Sequence, residues 1–140
     1  MKRFVLILII LFAVSCSSDE NRKIEINKID AFAFQLDEGW ELNGSAIIKN
    51  FTVVENENNF SSKLSYYINL TQPDSSIVEE ADYGLIDISE AEELSEYQLN
   101  FQIELDSGFS SGNYNFLLIV LDDVNGTSDS ISTSFELSVD

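Results

Sequence analysis

The chain has 140 residues, 44% of them hydrophobic, and carries 25 acidic against 7 basic residues for a formal charge of −18, with no histidine and a single cysteine. The missing histidine removes Ser-His-Asp and Cys-His catalysis and every His-containing zinc or iron site. The acidity argues against nucleic acid and anionic headgroups, which need Lys or Arg to neutralise phosphate, and leaves cationic partners and divalent ions open. Carboxylate pairs of the glycosidase kind and a Ser-Lys dyad survive, but neither has a motif, so no enzymatic activity is expected.

Lys2 and Arg3 precede an apolar run from Phe4 to Val14. The run is about half of the roughly 20 residues that a membrane-spanning helix needs. Ala13-Val14-Ser15 then lead into Cys16. This arrangement resembles a bacterial lipoprotein signal peptide with its lipobox. The resemblance implies removal of residues 1–15, acylation of Cys16 and membrane attachment through the N-terminal lipid, stable when two or more acyl chains are present. The alternative is a buried structural cysteine. Ser17-Ser18-Asp19-Glu20 resembles the short signal that sends some Gram-negative lipoproteins to the outer face of the outer membrane, so the expected location is the cell envelope, with surface exposure.

Removing 15 of 140 residues leaves 125, one domain's worth, with five basic against 25 acidic residues and hence a formal −20. No basic residue follows Lys63. The plain alternative to a charged binding surface is a solvated, self-repelling exterior that keeps an exported protein soluble. Residues 16–23 read as the lipidated cysteine and a polar tether, spanning at most roughly 23 Å from Ser17 to Lys23 at about 3.3 Å per residue. From Ile24 the dominant period is two, and seven strands are expected near 24–42, 45–55, 63–71, 84–88, 97–105, 113–123 and 127–139.

Two Asn-Gly pairs predict type I′ turns and therefore register. A turn at Asn43-Gly44 places Trp40 opposite Ile47, Glu38 opposite Lys49, Leu36 opposite Phe51 and Phe34 opposite Val53, an apolar face with one charge pair. A turn at Asn125-Gly126 places Val120 opposite Ile131, Leu118 opposite Thr133, Phe116 opposite Phe135 and Tyr114 opposite Leu137. Ser130, Ser132 and Ser134 then face outward beside Leu117, Ile119 and Leu121. Those three are either an exposed contact stripe or the covered second face of a central strand. Tyr97, Leu99, Phe101, Ile103 and Leu105 alternate cleanly with polar residues, as do Leu64, Tyr66, Ile68 and Leu70.

The stretch Leu105-Asp106-Ser107-Gly108-Phe109-Ser110-Ser111-Gly112-Asn113-Tyr114-Asn115-Phe116 resembles the corner before the sixth strand of immunoglobulin-like and fibronectin type III-like domains, with Tyr114 at the corner tyrosine. The resemblance implies an all-β fold, a seven-stranded antiparallel Ig-like β-sandwich over residues 24–140. An eight-stranded barrel is the alternative. In that topology the loops near 43–44, 72–83 and 106–112 point away from the tether. Asp74, Glu79, Glu80, Asp82 and Tyr83 are the expected contact residues there, with a disordered acidic loop as the plain reading. Phe109 is expected to plug the core.

No cofactor is expected apart from the possibility of Ca²⁺. Asp122, Asp123, Asn125 and Asp129 gather near the last turn, with Glu55 and Glu57 in reach, although the Gly126 spacing departs from an EF-hand and an ordinary turn explains them as well. Asp129-Ser130-Ile131 resembles a short bacterial O-glycosylation sequon. The expected function is a non-enzymatic binding, adhesion or accessory lipoprotein for a protein or glycan. The alternative is an envelope-assembly lipoprotein contacting a membrane partner through Leu117, Ile119 and Leu121.

Overall fold

The computed structural model describes residues 22–139; the signal segment 1–15, Cys16, tether residues 17–21 and residue 140 lie outside the described residues. Eight strands run in chain order: β1 (Glu25–Gln35), β2 (Trp40–Lys49), β3 (Val54–Asn56), β4 (Asn59–Thr71), β5 (Ile77–Glu90), β6 (Glu96–Leu105), β7 (Gly112–Asp122) and β8 (Ser128–Leu137). No helix occurs among the described residues. One antiparallel sheet has the order β1-β2-β6; the other has β4 and β7 inside, β8 on one side and β5 on the other, with β3 pairing the first residues of β4.

Period-two alternation decides which side chains meet between the sheets. Leu99, Phe101, Ile103 and Leu105 of β6 and Tyr114, Phe116, Leu118 and Val120 of β7 are buried in one cluster with Trp40, Leu42, Ile48, Leu64, Ile68, Phe135 and Leu137. Each fully buried Leu, Ile or Phe contributes about 1.5–3 kcal/mol. Phe101 stacks on Phe116 at 4.8 Å and joins the two layers; Tyr114 stacks on Phe135 at 5.3 Å. Tyr114 also donates its hydroxyl to the Ser110 carbonyl at 2.8 Å, the corner bond expected of that tyrosine. Along one side β1 runs beside β8, and side chains around the start of β8 satisfy two N–H groups where β1 begins: Ile24 donates to Thr127 Oγ1 at 3.3 Å and Ile26 to Asp129 Oδ2 at 2.9 Å.

The expected turn at Asn43-Gly44 does not exist. Both residues lie inside β2, where Asn43 pairs with Phe32 and Gln102, and Gly44 with Ala31 and Phe101. The reversal comes earlier, over Leu36–Gly39, closed by the Leu36 N–H on the Gly39 carbonyl at 3.0 Å with Gly39 at φ +82°. Trp40 and Ile47 therefore share one strand and project to opposite sides. A bulge at Lys28, φ 59°, shifts the parity of β1, so that Ile24 and Ile26 point inward before it and Ile29, Ala31 and Ala33 after it.

The Asn125-Gly126 turn exists but is wider than two residues. Leu121 pairs with Ser128, Leu118 with Ile131 and Tyr114 with Phe135, a shift of two from the expected register. A shift of two preserves every inward and outward assignment, which is why Phe116 and Phe135 still share the core. The strand count of seven becomes eight because β3 separates from β2; residues 77–83, expected as loop, extend β5 without adding a strand. Only residues 72–76 turn, with Ser76 donating to Asp74 Oδ1 from its N–H at 2.9 Å and its hydroxyl at 2.6 Å.

The ends of the molecule are divided as strand parity predicts. Gly39 lies against Asp106 and Gly112 against Pro73, so the turns near 36–39, 72–76 and 106–111 share one end. Arg22, where the described chain begins, lies at the other, donating from Nη1 to the Phe51 carbonyl at 3.4 Å and accepting from Asn125 Nδ2 at 3.0 Å.

Candidate functional site

The five acidic and aromatic residues expected at the outer tip do not form one site. Asp74 caps the 72–76 turn, and its carboxyl sits below the usual range because Ser76 hydrogen-bonds its ionised form. Glu79 and Glu80 occupy a bulge in β5, where Glu80 donates its N–H to Asn69 Oδ1 at 2.9 Å. Asp82 turns toward the interior and accepts from the Tyr66 hydroxyl at 3.3 Å. Burial first, and the Asp82 charge second, push the Tyr66 phenol above its ordinary value. Tyr83, one residue on, projects from the opposite face and is 72% exposed. Phe109 packs against the core and lies 6.3 Å from Tyr114, the plug that was expected.

The calcium candidates are engaged in structural hydrogen bonds. Asp122 is buried and accepts three backbone N–H groups, from Thr52 at 2.6 Å, Val124 at 3.0 Å and Asn125 at 3.3 Å. Asp123 accepts from the Ser65 hydroxyl at 2.9 Å, and Asp129 caps Ile26 on β1. Among the described residues no group of three or more Asp, Glu, His or Cys is placed to hold a metal ion.

Leu117, Ile119 and Leu121 lie on the outer face of an interior strand, half-buried between Asn69, Tyr67 and Ser65 of β4 and Ser132, Ser130 and Ser128 of β8. The row continues to the sheet edge, where Tyr83 pairs with Tyr67 and Leu85, 80% exposed, with Ser65.

A second face escapes the sequence reading because the expected turn put Phe34 in the core. On β1 the inward positions are taken by the small Ala31 and Ala33, so Phe32 and Phe34 point outward, 50% and 56% exposed, their rings edge-to-face at 5.2 Å and 80°. Register builds three rows across this sheet: Asp30, Ser45 and Asn100; Phe32, Asn43 and Gln102; Phe34, Glu41 and Glu104. Glu41 is held between two amides, with Asn43 Nδ2 donating to Oε1 and Gln102 Nε2 to Oε2, each at 2.7 Å. Gln98 Nε2 donates to Asn100 Oδ1 at 3.0 Å. The small Ser45 leaves an open depression of about 470 Å³ lined by Phe32, Asn43, Ser45, Asn100 and Gln102. A smaller one, about 320 Å³, lies between Leu36, Glu104 and Phe109 at the adjoining end. The signal for this face was present: the Asn43-Gly44 turn forces Glu38 and Lys49 onto an apolar face, a conflict that the true register removes.

No protein-family model matches the chain, and no curated protein does. Among solved structures it is similar to a family 123 glycoside hydrolase from Clostridium perfringens, studied for glycolipid glycan hydrolysis, at 14% identity and TM-score 0.49, over 76% of this chain and 22% of that one. It is also similar to a Bacteroides uniformis β-glucuronidase, at 12% identity and TM-score 0.42, over 81% of this chain and 13% of that one. The chain thus spans about a fifth and about an eighth of those proteins.

Proposed function

We propose that the chain is a membrane-anchored, non-enzymatic lipoprotein of the Gram-negative outer membrane, whose Ig-like β-sandwich binds a protein or glycan at the cell surface. The observation that carries the binding assignment is the outward Phe32–Phe34 pair beside the Glu41 carboxylate clamped by Asn43 and Gln102. A folded domain gains little stability from two half-exposed rings, and a rigid sheet holding aromatic and amide groups together is what a binding surface needs. The Ig-like reading is supported by the β1-β2-β6 sheet packed on a five-stranded sheet with β4 and β7 inside, and by the Tyr114 corner bond. It departs from constant-type immunoglobulin domains in that β5 pairs β4 rather than β6. The lipid anchor rests on the Lys2, Arg3, Phe4–Val14 and Cys16 pattern.

Hydrolysis is disfavoured by the same face. Glu41 and Glu104 are cross-strand neighbours pointing the same way on an open surface, whereas glycosidases set two carboxyls on opposite sides of a bond inside a cleft. The test places a photoreactive residue at position 32 or, on the other outer face, at 132, in cells expressing the full chain with Cys16 or Cys16→Ser. The proposal predicts adducts from position 32 alone, and loss of membrane association in the Ser variant. Equal adducts at both positions, or a membrane-bound Ser variant, contradict it.

The exposed Tyr83 and Leu85 beside Leu117, Ile119 and Leu121 favour a second reading, in which the other outer face docks a membrane partner during envelope assembly. That reading predicts adducts from position 132.

A further inference from the structure

We infer that the outer face of the β1-β2-β6 sheet is a binding site for a neutral glycan chain, an assignment that rests on this face being the ligand surface. Three features of the face match a sugar polymer. A sugar ring presents C–H groups on one side, which pack on the electron-rich face of an aromatic ring, and Phe32 and Phe34 offer two such surfaces at right angles, half open to solvent. Its rim of hydroxyls both donates and accepts. Asn43, Gln102 and Asn100 supply amides of both kinds, and a carboxylate has about four acceptor positions, of which Asn43 and Gln102 occupy one on each oxygen of Glu41. Those two bonds also fix the carboxylate before a ligand arrives, which reduces the ordering cost of binding.

Size and charge select among occupants. Three strands about 4.8 Å apart and ten residues long cover about 14 Å by 33 Å, roughly 460 Å². A stable protein interface needs about 800 Å² per partner with an apolar centre. Here the depression mixes Asn43, Ser45, Asn100 and Gln102 with Phe32, Gly44 and Phe101, so polar groups interrupt any apolar centre. A second copy would bring a second charge of −18 against the first, and an anionic polymer meets the same repulsion. The depression is open rather than enclosed, which suits the middle of a chain better than a pocket for its end.

The test is affinity electrophoresis of the full chain in detergent through native gels that each contain one neutral polysaccharide: mixed-linkage β-glucan, xylan, mannan or dextran. At least one should retard the wild type. Phe32→Ala/Phe34→Ala should weaken that retardation at least tenfold and Glu41→Ala severalfold, while Phe32→Trp, which keeps a ring on the face, retains it. Ser132→Ala on the opposite face should behave as wild type. Absence of retardation by all four polysaccharides, or equal retardation of the double variant, overturns the inference. If position 32 still cross-links to a protein while no polysaccharide binds, the glycan assignment fails and the binding-module reading stands.

Discussion

The chain contains two Asn-Gly pairs, and they need glycine for opposite reasons. Gly126 sits in a solvent-exposed turn at φ +76°, and a Cβ added there would meet nothing within 4 Å. Gly44 is not at positive φ, but a Cβ there would overlap the Asp30 carbonyl oxygen and the Phe101 ring. One glycine answers a backbone conformation and the other makes room for an aromatic ring in the core. The dipeptide alone does not distinguish them; what lies across the sheet does.

Substituting both glycines by alanine sharpens this contrast. Gly44→Ala should cost about 3 kcal/mol or more in urea unfolding, because the neighbours that must move are a main-chain oxygen and the Phe101 ring stacked on Phe116. A cost below about 1 kcal/mol would remove the spatial explanation. Asp122→Ala should be nearly as damaging, about 3 kcal/mol, since it strands the N–H groups of Thr52, Val124 and Asn125 beside a buried vacancy. Gly126→Ala should cost only about 1 kcal/mol, the strain of a left-handed non-glycine residue in open space.

Smaller effects probe the two faces around these turns. Because Tyr66 holds its proton more tightly when folded than its ordinary value of 10.0, its contribution is complete below that value and is lost as pH rises above it. Wild-type stability should therefore fall above pH 10 relative to Tyr66→Phe, whose own curve lacks that component; parallel curves would contradict the assignment. Phe32→Ala and Phe34→Ala should change stability least, by under about 1 kcal/mol each in thermal melts, as expected of outward rings. A loss of several kcal/mol would place those rings in the core.

The inward faces of β4, β6, β7 and β8 were legible because unbroken alternation survives a register error of two, so Leu99, Phe101, Tyr114, Phe116 and Phe135 were placed correctly. Tyr114 was legible as well, its local sequence carrying the hydrogen bond to Ser110. The β1–β2 hairpin was not. The Lys28 bulge changes parity without a glycine or proline to mark it, and the real turn uses Leu36-Asp37-Glu38-Gly39, a weaker signal than Asn-Gly. The candidate site was hidden by that one error. Ala31 and Ala33 alternate with Phe32 and Phe34, and hydrophobicity alone sends the phenylalanines inward. The core already filled by Phe101 and Phe116 has room only for the alanines.

The Phe32–Asn43–Gln102 row exists only if β2 runs straight through Asn43-Gly44. Cross-strand nuclear Overhauser contacts in the full chain read this directly. Backbone contacts from Asn43 to both Phe32 and Gln102 are predicted, whereas contacts between Trp40 and Ile47 across a reversal at Asn43-Gly44 would contradict the register and dissolve the site with it.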